Sequence, residues 1–325
     1  MNLPSFARAP RAGFALLALL SCAAPAAAQD LAAARDAVRR AARNTGLGSL
    51  SQSFSSLASD GELSGGDLVF ENRPDLEVSP QNLLIPFEPS LIEDTLDLRV
   101  ELELGYLTAR ITGPLTPTVY GDVKWQVFAG SVGAGPSLRL PFGLRAQPLF
   151  HLGLAWVSNR ASYRGPDALA FSLLFDDVIF DVHALYGSYG GSFALRHPGL
   201  ELGELTLGLL VRYDLRRSEV LDTEKDAERR PLTSQWLTLR VDLRGPLWSN
   251  EEWRIDWLVD LGYRRYLDEL EQTFELSDYG VFGGGVAIGL PEGLRPPLVS
   301  EFQLTGSYFL GEKVRGWTAG LSASF

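Results

Sequence analysis

The chain has 325 residues, with 29 basic against 40 acidic side chains and a net charge of −11, a balance that argues against nucleic acid as a partner. Its single cysteine, Cys22, leaves no disulfide framework and no thiolate metal site. Outside the first 28 residues no apolar run approaches the roughly 20 residues of a membrane helix, which excludes a helical membrane protein but not a strand-built one, whose apolar residues alternate with polar ones.

Residues 1–28 carry Arg8 and Arg11, an apolar stretch at 13–20 and the small-residue site Ala26-Ala27-Ala28, the pattern of a secretory signal peptide. Cleavage there starts the mature chain at Gln29, with 27 basic residues against 40 acidic. Leu19-Leu20-Ser21-Cys22 resembles a lipobox, so lipidation at Cys22 stands as the alternative. Residues 30–44 are rich in alanine and arginine, with Asp30 placed to cap a short helix and Gly46 to end it. Residues 45–93 turn to Ser, Gly, Asn and Pro with short apolar runs such as Leu83-Leu84-Ile85, which reads as a linker with one irregular hairpin.

From residue 95 a period of two takes over. Leu96, Leu98, Val100, Leu102, Leu104 and Tyr106 alternate with Asp97, Arg99, Glu101, Glu103 and Gly105. The pattern returns at 119–129 and 144–156, and again at 178–186, 205–215, 237–243, 253–263 and 298–308. The strands of about 10 to 16 residues exceed the soluble mode, and aromatics such as Tyr106, Trp156, Tyr213, Trp253, Tyr263 and Tyr308 sit near the ends of the apolar face. Turns expected at 197–199, 248–250 and 291–293 alternate with longer loops near 160–175, 217–233 and 267–277. The predicted fold is therefore all-β, an antiparallel transmembrane β-barrel with a short N-terminal helix.

Turning such a strand over places Arg99 in lipid at about 2 to 4 kcal/mol near midplane, so the charged face is expected to point inward. The predicted lumenal network is Arg99, Glu101, Asp122, Lys124, Arg240, Asp242, Arg254 and Asp256. The apolar phase flips near Gly130 and near Gly190, and a flip means a tight turn or a bulge. Two turns give twelve strands; two bulges give ten, and a further hairpin from 66–93 restores twelve. The expected domains are the signal peptide at 1–28, helix and linker at 29–93 in the lumen or the periplasm, and the barrel at 94–325.

The last strand places Trp317, Ala319, Leu321, Ala323 and Phe325 on one face and ends on an aromatic residue. That arrangement resembles the C-terminal β-signal of Gram-negative outer-membrane proteins. With a helix-forming segment ahead of about 230 barrel residues, the layout is similar to the translocator domain of autotransporters, in the solitary form lacking a large passenger. The resemblance implies outer-membrane lipid and lipopolysaccharide, the barrel assembly machinery and periplasmic chaperones as partners. It departs from the family in the short stretch 29–93, which has neither a β-helix repeat nor a protease signature.

His151, Asp181 and His183 are the candidates for chemistry, since a carboxylate beside an imidazole on an inward face is half of a hydrolytic constellation. Asp181-Val182-His183 superficially resembles the D-x-H element of omptin proteases. The G-x-S-x-G elbow is absent, as is the H-x-S spacing of outer-membrane lipid deacylases, because positions 153 and 185 are Gly and Leu. Gly283-Gly284-Gly285 lacks the lysine and following helix of a phosphate loop and reads as relief of wall curvature. Neither a cofactor nor a metal site is expected. The sequence points to a non-enzymatic outer-membrane barrel acting as pore, translocator or surface anchor; a barrel hydrolase using the histidines is the alternative.

Overall fold

The computed structural model of the chain describes residues 31–324 except 46, 60–65, 72, 94, 182, 224–230, 251–252, 268–276 and 292–300. The signal peptide, Asp30, Gly46 and Phe325 therefore lie outside the described residues. The chain opens with two helices, α1 (Leu31–Thr45) and α2 (Leu47–Ala58), followed by β1 (Gly66–Phe70), β2 (Arg73–Phe87) and the short β3 (Ser90–Ile92). Then come β4 (Leu96–Thr116), β5 (Val119–Arg139), β6 (Arg145–Arg164), a loop helix α3 (Ala168–Phe175), β7 (His183–Leu202), β8 (Leu205–Thr223) and β9 (Leu232–Ser249). β10 (Arg254–Tyr266), β11 (Asp278–Gly289), β12 (Glu301–Leu310) and β13 (Val314–Ser324) complete the wall.

Neighbouring strands pair antiparallel from β4 round to β13, β13 pairs with β1, β1 with β2, and β2 with β4. That last pairing closes a twelve-strand barrel and removes the exposed sheet edges that invite aggregation. β3 is an extra strand paired only with the start of β4. The wall thus begins at Gly66 and not at 94, and the hairpin within 66–93 supplies its first two strands.

Both phase flips occur inside unbroken strands. β5 runs through Gly130 in continuous register with β4 and β6, and β7 runs through Gly190 in continuous register with β6 and β8, so neither glycine is a turn or a bulge. The faces themselves exchange chemistry. β4 and β5 are 21 residues long, about twice the roughly 9 to 11 that cross a bilayer, and the surplus extends beyond the apolar belt. Within the belt, Leu104, Phe128, Val132, Leu152 and Leu154 face outward, while Asp97, Arg99, Glu101 and Glu103 are buried inside. Beyond it, Leu107, Ala109, Val123, Trp125 and Val127 turn inward and Arg110, Lys124, Gln126 and Arg160 face outward. The strand keeps its period of two; what changes is the solvent on its outer side.

The turn expected at 197–199 falls instead at Gly203, whose φ of 68 suits glycine; residues 197–200 form a register shift within the β7–β8 ladder. Asn250 closes the β9–β10 turn through its backbone and side chain to Trp253. These short turns share one end of the barrel, and the loop bearing α3 lies at the other.

Candidate functional site

The lumen is occupied by the chain's own α2. Its sequence spaces Leu47, Leu50, Phe54 and Leu57 three and four apart, which makes one apolar stripe, while serines fill the remaining positions. Every side chain from Ser51 to Ser59 is buried except Ser56, which is partly so, leaving a polar helix enclosed on all sides. α2 packs chiefly on β2, β4, β5, β6 and β9, with Phe54 5.5 Å from Trp125. Ser234 donates to Ser56 at 3.1 Å. A Cβ on Gly105 would lie 1.7 Å from the carbonyl oxygen of Ala58, so the end of α2 reaches the wall only because residue 105 has no side chain.

Below the helix end, charged residues tie separate strands together across the lumen. Arg216 of β8 clamps Glu103 of β4 with two hydrogen bonds of 2.8 and 2.9 Å and donates a third, at 2.9 Å, to the Ser59 carbonyl. That third bond satisfies a carbonyl at the helix end, where intrahelical donors have run out. Arg212 donates to Glu101 at 3.0 Å and to Asp214 at 2.9 Å; Arg99 donates to Glu101 at 2.9 Å. At the short-turn end, Ser137 and Arg145 each donate to Glu88 at 2.6 Å, and Arg139 forks onto Asp97. Burial alone would raise the Glu88 carboxyl, but Ser137, Arg145 and Arg99 outweigh it and hold it below the ordinary glutamate value.

Of the predicted network, Arg99, Glu101, Arg240, Asp242, Arg254 and Asp256 point into the lumen. Arg240 meets Asp242 at 2.7 Å, Arg254 meets Asp256 at 2.9 Å, and Arg244 bridges Asp256 to Glu301. Asp122 and Lys124 do not belong to it. They lie beyond the belt on the outer face, where Asp122 pairs with Arg110 at 2.7 Å. Alternation alone places them inward, because it does not distinguish a charged face inside the bilayer from one beyond it. Glu103 and Arg145 join the network from the charged faces expected inward, while Glu88 and Arg216 carry no such signal; α2 lies in the stretch expected as linker, its one signal being the Leu47, Leu50, Phe54, Leu57 spacing.

The three candidates for chemistry are not brought together. His151 is buried in the lumen with Nε2 2.9 Å from the Ser192 hydroxyl, whereas His183 is exposed on the outer face and stacks on Trp156 at 5.6 Å. Asp181 lies in the α3 loop at a φ of 56, outside the strand that carries His183. The expected shared inward face is thus corrected: the register that buries Ala184 and Tyr186 turns His183 outward. Gly283 and Gly285 are inward positions, and a Cβ on Gly283 would meet Asp260 and Ser307.

At the loop end α1 emerges beside α3, where Arg35 donates to the Asp176 carbonyl at 2.9 Å and Tyr163 to the Asp176 carboxylate at 2.8 Å. Burial raises the Asp176 carboxyl; the Tyr163 hydroxyl opposes this, and Asp181 and Asp177 add to it. At the other terminus, Trp317 and Ala319 face outward, and Leu321 and Ala323 pair with Leu304 and Phe302 of β12.

No family model and no curated relative matches the chain. Among solved structures, the β domain of the Bordetella autotransporter BrkA is similar with a TM-score of 0.48 and 13% identity, covering 80% of this chain and 96% of that one. The translocator domain of the autotransporter NalP from Neisseria meningitidis gives 0.48 and 16%, over 88% and 97% of the two chains. The transport unit of the autotransporter AIDA-I from Escherichia coli gives 0.44 and 12%, over 87% and 99%.

Proposed function

We propose that this chain is an integral outer-membrane β-barrel of the translocator type, plugged by its own N-terminal helices, with α1 at the loop end. The burial of α2 inside the closed wall carries the reading, because a polar helix enclosed on all sides fills space that an open pore would leave to water. The outward belt of Leu104, Phe128, Leu152, Leu154, Phe282 and Leu304 supports a lipid surround, since a contiguous apolar surface of that kind is not left to water in a soluble monomer. Outer-membrane lipid and lipopolysaccharide, the assembly machinery and periplasmic chaperones are the partners this role calls for, with Trp317, Ala319, Leu321, Ala323 and Phe325 as the assembly signal. The arrangement suits surface anchoring or display of α1 at the loop end.

Planar-bilayer conductance of the folded chain, with and without residues 29–60, tests the plug. Conductance is expected to rise on deletion, and equal conductance in both forms sinks the plugging role. An epitope placed directly ahead of Leu31 is expected to be reached by antibody on intact cells. Access only after the outer membrane is opened would reverse the orientation.

A further inference from the structure

Three cations lie side by side on the outer face just beyond the belt. Arg110 of β4 is directly opposite Lys124 of β5, and Lys124 is directly opposite Arg160 of β6. All three are exposed. Like charges directly opposite in an antiparallel pair repel, so such a row is unfavourable unless anions lie against it. The carboxylates gather at one end: Asp122 forks onto Arg110 at 2.9 and 2.7 Å, and Glu77 of β2 is directly opposite Arg110. Among the described residues neither Lys124 nor Arg160 has an ion-pair partner. The positive excess therefore falls between β5 and β6.

A row of rings fixes the height of these cations relative to a membrane. Tyr106, Phe128 and Trp156 occupy paired positions on the same three strands, with centroids 4.6 and 6.0 Å apart, and His183 continues the row beside Trp156. Such rows sit at the boundary between acyl chains and headgroups. The cations lie four residues further along each strand, about 13 Å of strand and so about 10 Å of height at a tilt near 40°. That is headgroup depth. Thr108, Gln126 and Ser158 lie between the two rows, and these residues, the cations, Ser79 and Ser162 line a surface depression of about 580 Å³, with Glu77 and Asp122 at its Arg110 end.

We propose that the β4–β6 face binds the phosphorylated sugar headgroup of an outer-leaflet glycolipid, with Lys124 and Arg160 on the phosphate, the hydroxyl and amide side chains on the sugar, and the acyl chains along the aromatic row. Asp122 and Glu77 offset the Arg110 end of the row, which leaves Lys124 and Arg160 to take a phosphate, and the step from rings through hydroxyls to cations follows the order of parts in such a lipid. This assignment rests on the outer-membrane reading above.

The test is native mass spectrometry of the intact folded barrel in detergent, offered bisphosphorylated lipid A, the same lipid without phosphates, or inorganic phosphate. The wild-type chain is expected to retain the bisphosphorylated lipid. The Lys124→Ala, Arg160→Ala double variant is expected to lose it by about tenfold or more, the effect of removing two surface cations near anionic lipid. Arg265→Ala, which removes an outer-face cation on β10, is the control expected to change nothing. Equal retention by the double variant overturns the proposal, as does equal retention of the dephosphorylated lipid by the wild type, a comparison that needs no variant. Retention of inorganic phosphate without preference for the lipid overturns it too, by showing an anion site alone. Failure of the outer-membrane reading is seen separately, in cell fractionation of the wild-type chain.

Discussion

Arg216 joins three parts of the molecule: it forks onto Glu103, closes a carbonyl at the end of α2, and lies 5.3 Å above the Trp236 ring. Removing one partner of a buried ion pair leaves the other charge uncompensated, at about 3 to 5 kcal/mol. Arg216→Ala should therefore lower the unfolding free energy of the refolded barrel by about that amount in a urea titration. Replacing both partners, as Arg216→Met with Glu103→Gln, should recover much of the loss. A single-variant cost below about 1 kcal/mol would show that water already solvates the pair, as it does for surface ion pairs. The inward charge of Arg99 and Glu101 was legible from alternation alone. Which partner each charge takes was not, because Arg216 and Glu103 are 113 residues apart and meet only when the barrel closes.

At the scale of elements, Gly105 decides whether α2 can seat. Valine there would meet the Ala58 carbonyl and, at 2.6 Å, the Asn82 Oδ1, a side-chain atom that can swing aside, while the backbone ladder to Ala129 of β5 and Asn82 of β2 accepts a branched residue. Gly105→Val should leave a barrel that still migrates faster unheated than boiled, yet is cleaved by protease within residues 47–59 and conducts in bilayers. A variant as resistant and as silent as the wild type would show that the helix end does not press on the wall. α1 was readable from its alanine and arginine content. α2 showed only in the three-and-four spacing of Leu47, Leu50, Phe54 and Leu57, because serine is a weak helix former in isolation and this helix is held chiefly by the wall around it.

For the whole molecule, the outer surface changes solvent partway along each long strand. Leu152 lies in the belt and is 56% exposed, so Leu152→Arg should destabilise the refolded barrel by about 2 to 4 kcal/mol in lipid vesicles. Thr108→Arg, beyond the belt on the same outer surface, should cost little in the same measurement. Equal costs at both positions would sink the assignment of the belt to lipid and of the upper wall to water.

The amino-acid sequence alone determined that the chain is a barrel of long alternating strands with an ionic inner face, because a period of two and the cost of charge in lipid are properties of residues next to one another. Tertiary structure decided the rest. The sequence phase cannot distinguish a turn at Gly130 from a strand passing out of the bilayer, since both exchange the apolar and polar faces; the unbroken ladders through Gly130 and Gly190 resolve it. For the same reason Asp122, Lys124 and His183 moved to the outside. The occupant of the lumen also emerged only from the fold, because α2 is buried by strands that lie far from it in sequence.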